Sequence, residues 1–250
     1  MSVKSLIPLG IKLLLRIAYR CLKDYITGMK FRFAKNSEAK LKTGQSFKKQ
    51  ITIIQPINVS RWAENKKHNL RLAISKFQNL PIYPSEVFSF WHYVRKPTKR
   101  EGYKVGINIK MSKLDFDYGG GLCQLSGILY HLALTAGLGI VERHPHSVDL
   151  YTDETRYTPL GADATTVYGH KDLRIKNILG TPFCFRLKVK GNKLIGSICA
   201  PEPVQEYELR FIKDIVDGKE RVKTIKYLDA ENSQLICTQT YLISDHDEVI

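Results

Sequence analysis

The first 80 residues contain two stretches whose hydrophobic positions recur at helical spacing. Between residues 5 and 25 the apolar positions lie beside a stripe of basic residues spaced three or four apart. The stripe consists of Lys12, Arg16, Arg20 and Lys23. The second stretch, residues 65–80, ends before Pro81. Both patterns predict amphipathic helices, because side chains three and four positions apart share one helix face.

After residue 160 the pattern changes from helical spacing to alternation of apolar and polar residues. The clearest run, residues 183–190, predicts a strand with one face toward solvent. Hairpin turns are predicted at Gly191-Asn192 and Asp217-Gly218. Further strands or extended segments are expected at residues 87–94, 140–150 with an interruption at Pro145, 172–178, 194–200, 207–211, 222–228 and 235–243. Residues 51–59 are a short apolar stretch broken by Pro56.

Helices therefore concentrate in the first half of the chain and antiparallel strands in the second, which is typical of the α+β class. Residues 1–50 are predicted to form a basic amphipathic helix followed by a linker or mobile arm. Residues 51–250 are predicted to form one domain, with its motifs at 80–180 and a β-rich tail at 181–250. A chain of 250 residues can bury a core without disulfide staples.

The most apolar stretch, residues 122–136, directly follows Gly119, Gly120 and Gly121. It predicts a helix that is buried nearly all round and carries Cys123 on its first turn. A helix N-terminus stabilises a thiolate and can lower a thiol pKa from about 8.5 into the range of about 3.5–7.5. Cys123 is therefore a candidate nucleophile, and the competing interpretation is a buried structural cysteine.

A nucleophilic cysteine needs a base within hydrogen-bond reach and a third group that orients the base. His144 and His146 flank Pro145 one helix length downstream, where a tight return brings the chain back toward the helix start. Either histidine is a candidate base, and a hydrophobic strand after His146 favours it as the better fixed of the two. Asp163 and Asp149 are the candidates for the orienting group.

Two further groups suit the binding of an acyl substrate. The backbone N–H groups of Gly120, Gly121 and Cys123 can form an oxyanion hole. Arg143 carries a guanidinium whose fork matches a substrate carboxylate. Both features agree with acyl transfer through a thiol.

A zinc site is the main alternative for the same residues. Its ligands would be Cys123, His144, His146 and Asp149. The chain has five cysteines but no CxxC pair and no zinc-finger spacing. The pattern therefore favours a nucleophile over a metal ligand, and we expect no metal and no other cofactor.

The formal net charge is +15, and the first 50 residues contribute +10 of it. Such asymmetry indicates an anionic partner, such as a membrane surface, an anionic polymer or nucleic acid. None of the usual nucleic-acid-binding motifs occurs, which argues against nucleic acid. A generally basic, soluble surface is the plainer explanation.

The basic helix predicted at residues 5–25 allows two interpretations. Lys12 and Arg16 interrupt its apolar stretch, so it is too short to span a bilayer. It can instead lie at an anionic membrane surface or pack on the core of the protein. No secretory signal pattern is recognisable, and the cysteine spacing favours a reducing compartment. We therefore expect a cytoplasmic protein that can associate with the membrane surface.

The motifs between residues 80 and 180 resemble those of the VanW family, which takes its name from a gene that accompanies vancomycin-resistance clusters. The glycine-cysteine-glutamine motif followed by Glu-Arg and His is the most specific part of the resemblance. The matching segments are Glu86–Trp91, Gly102-Tyr103 with Gly106, Gly119–Gln124, Glu142-Arg143 with His146, Gly161 with Asp163–Thr165, and Asp172-Leu173 with Asn177.

The resemblance implies a role at the cell wall. Some family members are L,D-transpeptidases that cross-link peptidoglycan through a cysteine acyl-enzyme, which makes Cys123 the nucleophile and His146 the base in this chain. The implied partner is a peptidoglycan stem peptide or its precursor. A non-catalytic protein that binds a cell-wall peptide or a glycopeptide in the same cleft is the rival expectation. The residues expected around the substrate are Gly119, Gly120, Gly121, Gln124 and Arg143.

Overall fold

The computed structural model describes residues 8–35, 46–110, 113–149, 152 and 155–243. The helices are α1 (Leu9–Ile26), α2 (Met29–Arg32), α3 (Ala63–Ser75), α4 (Phe90–Val94) and α5 (Leu122–Thr135). The strands are β1 (Lys48–Pro56), β2 (Val87–Ser89), β3 (Val105–Lys110), β4 (Lys113–Tyr118), β5 (Gly139–Glu142), β6 (Val148–Asp149), β7 (Arg174–Lys176), β8 (Cys184–Lys190), β9 (Lys193–Ala200), β10 (Glu208–Val216), β11 (Lys219–Tyr227) and β12 (Ser233–Ile243).

The strands form three sheets and one separate hairpin in the described part of the chain. Antiparallel strands make a sheet in the order β1-β9-β8 and another in the order β2-β7-β5. The third sheet has the order β10-β11-β12-β6, in which only the short pairing of β12 with β6 is parallel. Strands β3 and β4 form the hairpin that leads into the glycine loop.

Helix α5 forms the centre of the core. Twelve of its fourteen residues are buried, because its surface is apolar on nearly every side. Ile128 and Leu132 pack over Gly196 of β9, where a Cβ would lie 3.0 Å from both side chains. The missing side chain at Gly196 therefore lets the helix approach the sheet closely.

The α+β class predicted from the sequence is confirmed by this mixture of helices and antiparallel sheets. The strand predicted at residues 87–94 is wrong beyond Ser89. There the Ser89 hydroxyl accepts a hydrogen bond from the backbone N–H of His92 at 3.3 Å and caps the short helix α4. The prediction also missed β4, which pairs with β3.

The predicted amino-terminal helix and linker are only partly within the described residues. Helix α1 begins at Leu9, and residues 5–7 lie outside the described ranges. The segment expected to be a linker contains α2 and the start of β1, whereas its residues 36–45 lie outside those ranges. The division into two regions at residue 50 stays a prediction. None of the described helices combines the length and the apolar character that crossing a membrane would require.

Candidate active site

Cys123 lies at the start of α5, directly after the glycine loop. It is the second residue of the helix, and Gly121 occupies the N-terminal capping position with φ 99°. This left-handed conformation favours glycine. The residue as a whole is partly exposed, and its Sγ lies 3.8 Å from Oγ1 of Thr165. The thiol therefore lies at the positive end of a helix.

The glycine loop is held in place by close backbone packing. A Cβ on Gly120 would lie 2.6 Å from the Cα of Gly106 and 2.7 Å from its carbonyl carbon. The buried amide of Asn69 on α3 donates to the carbonyls of Lys104 at 2.9 Å and Gly120 at 3.1 Å. Its oxygen accepts from the backbone N–H of Lys104 at 2.8 Å. These contacts fix the position of the loop in front of α5.

His146 and Asp163 form the second part of the site. Oδ2 of Asp163 accepts hydrogen bonds from Nδ1 of His146 at 2.8 Å and from its backbone N–H at 2.7 Å. A carboxylate only accepts, so Nδ1 carries a proton and Nε2 is left for another partner. The imidazole lies close enough to Cys123 for hydrogen bonding and charge to shift the pKa of both groups. The three side chains therefore form a continuous Cys–His–Asp chain.

Asp163 is fixed by two more side chains. Its Oδ1 accepts hydrogen bonds from Nη2 of Arg143 at 2.9 Å and from the hydroxyl of Tyr241 at 2.6 Å. Nε of Arg143 donates to the Asp163 carbonyl at 2.7 Å, and its guanidinium lies 4.7 Å from the centroid of the Tyr130 ring. Burial disfavours the charged carboxylate, but His146 and Arg143 hold the pKa of Asp163 well below its ordinary value.

The electrostatics of the site favour a thiolate. Burial would raise the pKa of Cys123, but the hydrogen bond and charge of His146, with smaller contributions from Thr166 and Thr165, lower it from 9.0 to about 7. Burial would lower the pKa of His146, but Asp163 and the Cys123 thiolate raise it from 6.5 to about 10. The proton is therefore on the imidazole, and near neutral pH the pair is a thiolate beside an imidazolium.

Lys66 on α3 adds a second positive charge beside the thiol. Its stem packs on the glycine loop so closely that a Cβ on Gly121 would lie 2.6 Å from its Cγ. Its Nζ lies 5.5 Å from the centroid of the Tyr157 ring. Burial lowers the pKa of Lys66 to about 8, and attraction to the Cys123 thiolate opposes this shift. The ammonium is therefore close enough to interact electrostatically with the sulfur.

The other two residues considered for the base and the orienting group have different partners. Nε2 of His144 lies 3.0 Å from Oε1 of Glu142. Asp149 accepts two hydrogen bonds from the guanidinium of Arg156, at 2.8 and 2.6 Å. Of the two histidines, His146 is the one that contacts Asp163 and Cys123. Of the two aspartates, Asp163 is the one that contacts the imidazole.

Two residues predicted to bind substrate are engaged inside the protein. The side chain of Arg143 is 5% exposed and pairs with Asp163, so here its carboxylate partner belongs to the chain. Gln124 is 1% exposed, and its Nε2 donates to the carbonyl of Pro56 at 2.8 Å. In this geometry Arg143 positions Asp163, and Gln124 ties α5 to β1. A contact of either with substrate stays a prediction.

Within residues 8–35, 46–110, 113–149, 152 and 155–243, no three His, Cys, Asp or Glu side chains are grouped to hold a metal ion. In the zinc alternative, Cys123, His144, His146 and Asp149 would converge. The structure instead gives His144 and Asp149 separate partners. In this geometry two of the four proposed zinc ligands, His144 and Asp149, are paired with other residues instead of converging on the thiol.

A comparison with models of known protein families identifies the family of this chain. The model of the VanW family, described as "VanW like protein", matches residues 65–199. That segment is more than half of the chain. The chain belongs to the VanW family.

Two relatives extend the comparison. The chain is 34% identical over 144 residues to "Vancomycin B-type resistance protein VanW" of Enterococcus faecalis. The alignment covers 58% of this chain and 52% of that protein. The chain is also 34% identical over 141 residues to "Uncharacterized protein YoaR" of Bacillus subtilis, covering 56% of this chain and 45% of that protein. The chain thus spans about half the length of the curated relatives it matches. No solved structure gives a significant match.

The VanW segment contains the thiol, the imidazole and the carboxylate, but the site also uses residues that sequence reasoning missed. Lys66 and Asn69 lie on the helix predicted at residues 65–80, where a lysine and an asparagine read as solvated surface. Tyr241 comes from β12, outside the matched segment, and is fully buried. Only the fold brings Lys66 and Asn69 to the glycine loop and Tyr241 to Asp163, so no local pattern could have identified them.

Proposed function

We propose that this member of the VanW family catalyses cysteine-dependent acyl transfer on peptidoglycan stem peptides or their precursors. The observation that carries the proposal is the Cys123–His146–Asp163 chain at the start of α5, in which the thiol pKa is lowered to about 7. The relative named for vancomycin B-type resistance supports a connection with glycopeptide resistance and the cell wall.

The first half of the reaction forms a thioester. The Cys123 thiolate attacks a peptide carbonyl, and the His146 imidazolium gives its proton to the leaving amine as the C–N bond breaks. The products are an acyl-enzyme, a free amine and a neutral imidazole. Asp163 keeps the Nδ1–H of His146 in place throughout, so Nε2 alone exchanges the proton.

The second half returns the enzyme to its starting state. Neutral His146 takes a proton from the acceptor, either an amine of a second stem peptide or water. The acceptor attacks the thioester carbonyl, the C–S bond breaks, and the thiolate leaves beside the re-formed imidazolium. Transfer to an amine makes a cross-link, whereas transfer to water trims the peptide.

The start of α5 supplies groups for the oxyanion that forms in each half. The N–H groups of Gln124 and Leu125 bond to the carbonyl of Gly121. In the described residues the N–H groups of Gly120, Gly121 and Cys123 have no such backbone partner, so they are available to a substrate oxygen. Lys66 adds a cation that can attract a substrate carboxylate.

Intact-mass spectrometry after incubation with stem tri-, tetra- and pentapeptides tests the proposal. We expect an acyl adduct on Cys123, with release of the leaving amine, and no adduct on Cys123→Ala. Cys21→Ser is the matched control, because it removes an exposed thiol on α1 and should leave the adduct intact. Saturable peptide binding without adduct or turnover would refute catalysis and favour the non-catalytic binding protein.

A further inference from the structure

Helix α1 presents three distinct faces along its length. One face packs on the domain, one flank is basic, and the remaining broad face is apolar and exposed. Residues three, four and seven apart share a face in an α-helix, so each group forms a continuous stripe. The three stripes together determine how the helix is oriented relative to the domain.

The packed face fixes α1 to the domain by ion pairs and close apolar contact. Arg20 donates two hydrogen bonds to Glu142, at 3.0 and 2.7 Å. Asp24 accepts two from Arg174, at 2.6 and 2.7 Å. One turn before Arg20, Ile17 packs against Gly169, where a Cβ would lie 2.9 Å from the Cγ1 of Ile17. Bidentate pairs of this kind hold a single geometry, so the opposite face of α1 points away from the domain.

The outward face is an unusually large apolar surface for a soluble domain. Leu14 is 67% exposed, Tyr19 67%, Leu22 58% and Ile26 73%. Phe31 on α2 continues it at 64% exposure and lies 5.7 Å, between ring centroids, from Tyr25. The further members of this apolar face are Ile11, Leu15 and Tyr25. Contiguous exposed surface of this kind marks a contact with another apolar phase or partner.

The charges beside the apolar face indicate what covers it. Lys12, Arg16 and Lys23 form one flank of α1, and Lys30 and Arg32 follow on α2. Residues 8–35 contain seven basic residues and a single acid, Asp24, which is paired with Arg174. A second copy of this chain would bring the same positive flank against itself. An anionic lipid surface instead matches both the apolar face and the basic flank.

We propose that α1 and α2 bind the surface of a bilayer that contains anionic lipids. The apolar face enters the boundary between headgroups and acyl chains, and the basic flank contacts lipid phosphates. Tyr19 and Tyr25 suit this depth because each has an apolar ring and a polar hydroxyl. Since the packed face stays on the domain, the whole protein lies at the lipid surface without spanning it.

Vesicle flotation with the full chain tests this proposal. The probe is phosphatidylcholine vesicles with and without phosphatidylglycerol, at low and high salt. We expect binding only to the phosphatidylglycerol vesicles and a loss of binding as salt rises. Exchanging three apolar residues for glutamine should weaken binding by about ten-fold or more. The apolar exchanges are Leu14→Gln, Leu22→Gln and Ile26→Gln.

A second variant removes charge from the flank and leaves the apolar face intact. The exchanges Lys12→Gln, Arg16→Gln and Lys23→Gln should weaken binding by about 100-fold. The charge control exchanges three exposed lysines of the β8–β9 hairpin and should bind as the wild type does. The control positions are Lys188, Lys190 and Lys193.

A matched apolar control and a fold check complete the experiment. Val59, Ile178 and Ile215 are exposed by 82%, 59% and 71% outside α1, so their exchange for glutamine should not change flotation. The alkylation rate of Cys123 reports whether each variant keeps its active site. Wild-type protein that ignores phosphatidylglycerol, or an apolar-face variant that binds equally well, overturns the proposal. The proposal would also be overturned if the wild-type protein were a dimer that does not float with vesicles and that the apolar-face exchanges dissociate.

Discussion

The exchange His146→Ala tests the electrostatic argument directly. In the wild type, the pKa of Cys123 is lowered to about 7 chiefly because the imidazolium of His146 outweighs the effect of burial. Without the imidazole, burial remains, and only the weaker effects of Thr166, Thr165 and the Lys66 ammonium still favour the thiolate. We therefore expect the thiol pKa to rise to 9 or above. Asp163 keeps its bonds to Arg143 and Tyr241, so the fold should persist.

The size of the effect follows from the two pKa values. A thiol with a pKa of about 7 is half ionised at pH 7. One with a pKa of about 9 is roughly 1% ionised at that pH, which is about a 50-fold smaller thiolate fraction. The sign is fixed by the charge of the group, because lowering the pH through the pKa protonates the nucleophile and stops alkylation. The pH–rate curve should therefore shift by about two units toward high pH.

Iodoacetamide alkylation of Cys123, followed by intact mass from pH 5 to pH 10, measures this shift. The control His144→Ala removes the histidine that contacts Glu142 instead of the thiol, so its curve should match the wild type. Reaction at the four other cysteines is subtracted with Cys123→Ala. A curve for His146→Ala that still inflects near pH 7 would refute the reasoning and assign the thiolate to the helix N-terminus and Lys66.

Three further exchanges test other parts of the site. Gly120→Ala should destabilise the protein by several kcal/mol, because its Cβ would lie 2.6 Å from backbone, and a thermal melt measures the loss. Lys66→Met should raise the thiol pKa of Cys123, because it removes a cation that attracts the thiolate. Lys66→Arg keeps the cation and should keep most of the effect, and the pH dependence of alkylation compares the two variants. Tyr241→Phe removes a hydrogen bond to Asp163 and should cost about 1–3 kcal/mol in chemical denaturation.

Each of these exchanges has a control in the same chain. Gly180→Ala adds a methyl group where nothing lies within 4 Å and should leave the melting temperature unchanged. Lys67→Met alters the neighbouring lysine, which pairs with Glu64 and should not affect the thiol. Tyr227→Phe removes a hydroxyl at the surface contact with Arg210 and should cost little. Equal effects in an exchange and its control would contradict the assigned role.

The fold was predictable wherever one residue pattern decided it. Helix α5 followed from an apolar run behind glycines, and the β8–β9 and β10–β11 hairpins followed from alternation and their turn residues. Aromatic residues 87–94 misled the prediction because strand propensity was outweighed by the local cap at Ser89. Strand β4 was missed because its pairing with β3 depends on a partner outside any local pattern.

The site was predictable only along its local part. Cys123 behind the glycines and a histidine one helix length later are readable because chain reversal after a helix brings them together. Which of His144 and His146 contacts an aspartate depends on the position of Asp163, 17 residues after His146. That position is set by tertiary structure and cannot be read from a local pattern. Arg143 was predicted for a substrate carboxylate, a reasonable match of chemistry, yet the fold supplies Asp163 as its carboxylate.

The Glu142-Arg143 motif with His146 three residues later is explained by three different contacts from one strand end. Glu142 binds Arg20 of α1 through two hydrogen bonds, at 3.0 and 2.7 Å. The guanidinium of Arg143 donates to the carboxylate of Asp163 and to its backbone carbonyl. His146 lies between Asp163 and the thiol. A shift of this strand end would therefore disturb the docking of α1 and the imidazole together. The helix that we propose binds the membrane and the histidine that we propose acts as the base are therefore attached to the same segment, residues 142–146.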